Sequence, residues 1–177
     1  TEIMQNPASV SDANGEWFEI YNSGNNNIIL NGWIISDNGS DEHIINYEST
    51  LSIDPEQYFL LGRNSDFNTN GGINIDYEYN GFTLTNNEDE IIIFSSNGIS
   101  EIDRVEYDGG MNWPDPTGAS MSLINLSSNN NDGSSWETST IEYSNGDYCT
   151  PGEPNYMDDN IQGDINQDNV VNVLDII

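Results

Sequence analysis

Between Asp89 and Asp108 the chain reads DEIIIFSSNGISEIDRVEYD. Two apolar-rich runs flank Asn97-Gly98. An Asn-Gly step in this setting is the strongest short-range hairpin signal, because both residues tolerate the backbone angles of a tight turn. The expected strands are Asp89 to Ser96 and Glu101 to Asp108. Other runs repeat the theme: EWFEIYN (Glu16 to Asn22), GWIISD (Gly32 to Asp37), QYFLLG (Gln57 to Gly62) and ASMSLINL (Ala119 to Leu126). In the last, Met121, Leu123 and Asn125 share one face. Helical periodicity is absent over residues 1–156. Short strands at this spacing predict an all-β fold, a sandwich or a barrel-like sandwich.

The expected core centres on Trp17, Trp33, Phe59, Ile92 and Leu123. Trp113, before Pro114, belongs to a loop folded back over the sandwich; its functional alternative is a sugar-binding platform. The Asn- and Gly-rich stretch from Arg63 to Gly81 reads as a surface loop, and NNNDGSS (Asn129 to Ser135) as another. CTPGEPNYMDDNIQ (Cys149 to Gln162) closes the domain and turns into a linker, stiffened by Pro151 and Pro154.

Charge limits the function. The 177 residues carry 31 acidic and 2 basic side chains, for a formal net charge of -29. Such a chain repels phosphate backbones and anionic membranes, so no nucleic acid is expected as a partner. Self-repulsion on this scale calls for cations in the medium. Cys149 has no second cysteine to pair with. No apolar run is long enough to span a bilayer, and no basic-then-apolar leader opens the chain. The first residues, TEIMQNPASV, already read as domain, so the chain is expected to be a piece of a longer precursor.

Catalytic chemistry finds few candidates. His43 is the lone histidine and reads as a surface or edge-strand residue. No Gly-x-Ser-x-Gly elbow presents a nucleophile. Carboxylate pairs such as those in NNEDE (Asn86 to Glu90) read as solvated turns. SDANGE (Ser11 to Glu16) and DNGSDE (Asp37 to Glu42) each offer oxygens for a weak calcium ion, without the spacing of a calcium loop. Asn38-Gly39-Ser40 and Asn125-Leu126-Ser127 fit the glycosylation sequon, which an Asn-rich chain produces by chance.

Taken in order, GEWFEIYNSG, LNGWIISD, LSIDPEQYFLLGRN, FTLTNNEDEIIIFSSNGISEIDRVEYD, WPDPTGASMSL and CTPGEPN resemble the lamin tail domain in its prokaryotic form, over residues 1–156. The resemblance implies an immunoglobulin-like β-sandwich. It also implies a non-catalytic module for adhesion or anchoring in a large secreted or surface protein, with no catalytic residues to carry over.

After an acidic linker, residues 157–163, the chain ends on residues 164–177, DINQDNVVNVLDII. With the preceding Gly163 this resembles the first calcium repeat of a type I dockerin, an EF-hand-like loop. Calcium takes six to eight oxygens, and such a loop supplies them at positions 1, 3, 5, 7, 9 and 12. Here these are Asp164, Asn166, Asp168, the carbonyl of Val170, Asn172 and Asp175. Asn169 takes the place where a left-handed turn usually needs Gly. A complete dockerin has a second repeat and implies a cohesin-like partner. The expectation is therefore a non-enzymatic binding or anchoring module, secreted or at the cell surface. It would contact a protein or glycan and carry a truncated calcium loop. The alternative is an accessory domain that positions substrate for an attached hydrolase or nuclease.

Overall fold

The computed structural model describes residues 1–155. The residues expected to form a calcium loop, Asp164 to Asp175, therefore lie outside the described residues. In chain order the strands are β1 (Glu2–Met4), β2 (Trp17–Tyr21), β3 (Ile28–Ile29), β4 (Ile34–Ser36), β5 (Glu42–Ile44), β6 (Ser52–Ile53), β7 (Tyr58–Gly62), β8 (Tyr77–Glu78), β9 (Glu88–Phe94), β10 (Glu101–Asp108), β11 (Met121–Leu123) and β12 (Trp136–Thr138). A one-turn helix (Asp12–Gly15) and a 3-10 turn (Gly133–Ser135) complete the described elements.

Two sheets carry the fold. One has six strands in the order β12-β11-β1-β2-β7-β8, the other four in the order β10-β9-β4-β5, and β3 with β6 forms a separate ribbon. The pairings among these strands are antiparallel except that of β7 with β8. The chain is an all-β, immunoglobulin-like sandwich. Its β9–β10 hairpin turns through Ser95 to Ser100, with Gly98 at φ 66 and the Asn97 side chain accepting from the Ile99 and Ser100 amides.

Strand alternation explains what is buried where. Ile3, Phe18, Phe59, Leu61, Met121 and Leu123 from the six-stranded sheet meet Ile35, Ile91, Ile93, Val105 and Tyr107 from the four-stranded sheet in the main core. The opposite face of the six-stranded sheet is also covered. There Met4, Trp17, Leu60, Ile73 and Cys149 form a second apolar cluster. β11 lies beside β1, so residues after 110 complete the six-stranded sheet.

Several expectations need correction. Ile92 is buried, but it is out of phase with Ile91 and Ile93 and sits opposite Arg104 and Ser36 on the other side of its sheet. Trp17 packs in the second cluster instead of the main core, and Trp33 is only half-buried at the core's margin. The stretch from Arg63 to Gly81 is no mere surface loop: it contains β8 and buries Asn70, Ile73, Tyr77 and Tyr79. The reason is Asn70, whose side chain donates to the Asn64 and Ile73 carbonyls and accepts from the Gly72 and Ile73 amides. That folds the segment back on itself. β11 ends at Leu123, and Asn125 turns away to cap the next turn by accepting from Ser127.

Candidate functional site

A cleft opens between the two sheets, with a cavity volume of about 280 Å³. Its walls are inner-face side chains, Ile3, Phe18 and Ile20 on one side and Ile91, Ile93 and Val105 on the other, with Trp33 and Trp136 among the flanking residues. At the rim stand Asp103, Asn130, Ser128 and two exposed apolar residues, Ile102 (51% exposed) and Leu126 (37% exposed). The pocket is thus apolar inside with a few polar groups at its edge, the usual composition of a small-molecule site.

Local chemistry keeps it open. β10 is the edge strand of its sheet, and its pairing with β9 shifts register between Glu101 and Asp103. Such an irregularity bends an edge strand and re-aims its side chains. In the alternation of β10, Asp103 falls in phase with the buried Val105 and Tyr107. A short carboxylate therefore stands where a larger apolar side chain would close the gap. It is held from the facing loop: Asn130 donates through Nδ2 to both Asp103 oxygens, at 2.8 and 2.9 Å. The carbonyl of Asn130 in turn accepts from the Trp136 indole at 2.8 Å. Trp136 stacks obliquely on Trp113 with ring centroids 5.7 Å apart. These bonds give the cleft a fixed polar rim.

The two arginines are committed elsewhere. Arg63 pairs with Glu16 at 2.9 Å, and Arg104 forks between Glu101 and Glu106, each at 2.8 Å. Glu16 is buried, which pushes its carboxyl up in pKa against the pull of the Leu84 amide and Arg63. The pair ties β2 to the segment leaving β7.

A second polar cluster lies on the far face of the six-stranded sheet. Glu2 and Glu19 are cross-strand partners there, 0% and 2% exposed. The segment from Cys149 to Asn155 straps over them. Glu2 accepts from the Ser120 hydroxyl, from the Thr150 amide at 2.9 Å and from the Thr150 hydroxyl at 3.3 Å. Glu19 accepts from the Thr1 hydroxyl and the Gly152 amide, each at 2.7 Å. Burial raises the Glu2 carboxyl and lifts that of Glu19 to about 7.

The structure also places the residues singled out from the sequence. His43 lies on the edge strand β5, half-buried, with Nε2 at 2.9 Å from the Tyr77 hydroxyl and Nδ1 at 2.9 Å from the Asn80 carbonyl. Trp113 is buried in the core, so it is no exposed sugar platform. Asn38 and Asn125, the two sequon residues, are exposed. Among the described residues no group of three or more His, Cys, Asp and Glu is arranged to hold a metal ion. No helix among them is long and apolar enough to cross a membrane. The cleft itself was missed from sequence. Its one local signal is Asp103, a charge in phase with Val105 and Tyr107.

Two facing sheets with the main core between them define an immunoglobulin-like domain. The family model for the lamin tail domain matches residues 1–109, and the chain belongs to that family, whose sandwich is non-enzymatic. No curated protein matches the chain.

Proposed function

We propose that this chain is a non-catalytic binding or anchoring module of a secreted or cell-surface multidomain prokaryotic protein. The observation that carries this reading is an immunoglobulin-like sandwich of the lamin tail family that keeps a cleft open between its sheets. Its charge of -29 fits a cation-rich medium, which screens the self-repulsion. The tail adds a calcium loop made of Asp164, Asn166, Asp168, the Val170 carbonyl, Asn172 and Asp175. Three carboxylates, two amide oxygens and a carbonyl match the hard-oxygen shell that calcium requires. A complete dockerin would dock on a cohesin-like partner.

Deleting residues 1–155 from the full-length protein tests the reading. Loss of attachment to cells or matrix, with catalysis by neighbouring domains on a soluble substrate unchanged, is the expected result. A fall in that catalysis would favour the substrate-positioning role, and no effect on either would refute both. For the tail, calorimetry compares residues 1–177 with a chain ending at Tyr156. Calcium uptake equal in the two would remove the loop assignment.

A further inference from the structure

We infer that the cleft between the sheets is a binding site for a small cationic amphiphile: an apolar body seated among the inner-face isoleucines, with an ammonium head at Asp103. The inference rests on the binding-module reading and names the ligand class. Size sets the body. A cavity of about 150 Å³ lined by apolar side chains holds benzene, so about 280 Å³ takes roughly ten to twelve non-hydrogen atoms. The walls of Ile3, Phe18, Ile20, Ile91 and Ile93 offer no partner to a polar group at depth, which excludes sugars and other polyols.

Charge sets the head. The cleft is lined by no Lys, Arg or His, and Asp103 stands at its rim. Both arginines of the chain are engaged with glutamates. Thr1 borders the cleft too; its amino group donates to the Glu19 carbonyl at 2.8 Å, and burial lowers its pKa by more than the Glu19, Asp103 and Glu2 carboxylates raise it. An anionic head would meet the Asp103 carboxylate and the field of a chain with net charge -29, with no basic side chain to offset either. An ammonium gains from both. Asp103 is also pre-positioned, because Asn130 already holds its two oxygens. Oδ1 also accepts from the Arg104 amide at 2.9 Å, so the lone-pair site left for a further donor is on Oδ2, which accepts only from Asn130.

The test uses three probes of nearly equal size on the full chain at pH 7: octylamine, octanol and octanoate, all below their aggregation limits. Isoleucine methyl signals are followed by NMR. Octylamine is expected to saturate shifts at Ile3, Ile20, Ile91 and Ile93, to leave Ile73 in the second cluster unmoved, and to bind about tenfold tighter than octanol. Octanoate is expected to bind weakest. In Asp103→Asn the amine should fall to the level of the alcohol, while octanol is unchanged. Saturable binding of octanoate as tight as octylamine would overturn the choice of head. Absence of saturable shifts with all three would overturn the site, and Asp103 would then only guard an edge strand against pairing. Either failure leaves the deletion experiment on the full-length protein free to succeed, so the two readings fail separately.

Discussion

Ile3, Phe18, Phe59, Leu61 and Leu123 occupy one face of the six-stranded sheet, and the alternate positions Glu2, Glu19 and Ser122 point to the other. Both faces are buried. The first is sealed by a second sheet, the other by irregular chain: the strap Cys149 to Asn155 covers Glu2 and Glu19, and Ile73 joins Cys149 over Met4, Trp17 and Leu60. The difference shows in what each seal requires. Apolar side chains accept many packings of similar volume, whereas a buried carboxylate demands a donor at each oxygen. Glu2 and Glu19 obtain theirs in part from the backbone amides of Thr150 and Gly152, which fixes the strap in one register. The polar face thus gives specificity of docking, and Met4, Trp17, Leu60 and Cys149 beside it give the cohesion.

The largest expected effects compare the apolar contributions of the two faces. Phe18→Ala on the inner face and Trp17→Ala on the strapped face should each cost about 3–5 kcal/mol in denaturant titration. Neighbours in sequence would then stabilise equally through opposite sides of one sheet. If Trp17→Ala costs less than about 1 kcal/mol, the strap is a loose cover and the second cluster is not a core.

A smaller effect isolates the polar latch. Glu2→Ala removes the acceptor of the Thr150 amide and leaves a buried N–H unpaired, at about 1–3 kcal/mol. Hydrogen exchange should show the Thr150 and Gly152 amides losing protection while those of Val105 and Tyr107, in the facing sheet, keep theirs. Equal loss in both places would mean that the strap and the sandwich open as one unit.

What the sequence made legible follows the same division. The β9–β10 hairpin stood out because Asn97-Gly98 separates two apolar-rich runs, and β2 and β7 because their aromatic and aliphatic residues cluster. Residues 63–81 misled because Asn70 acts through four hydrogen bonds that composition does not reveal. Tyr77 and Tyr79 consequently enter the core from a segment that reads as loop. Nothing local marks Glu2 and Glu19 as buried carboxylates, since the strap that buries them lies more than 130 residues further along the chain. The cleft has the same origin in distant contacts: Asp103 and Asn130 meet across 27 positions. The proposed calcium ligands between Asp164 and Asp175 rest on local spacing alone and lie outside the described residues.

The smallest effect is one of pH. The Glu19 carboxyl stands at about 7 in the fold against an ordinary value of 4.5, because burial disfavours its charge. Between those two values the folded chain holds a proton there that the unfolded chain has released. Stability from this group therefore rises as pH falls from about 7 to 4.5 and is constant below. Glu19→Gln keeps the shape and never ionises, so it should match the wild type near pH 4.5, exceed it increasingly up to about pH 7, and hold a constant advantage from there to pH 8. Subtracting the two melting curves at each pH cancels the opposite contribution of exposed carboxylates such as Asp66 and Asp132, whose hydrogen bonds hold them below their ordinary range. A difference that stays constant from pH 4.5 to 8 would mean that Glu19 is ionised throughout. The strap would then be docked on a charge, and the contrast between the two faces would be sharper still.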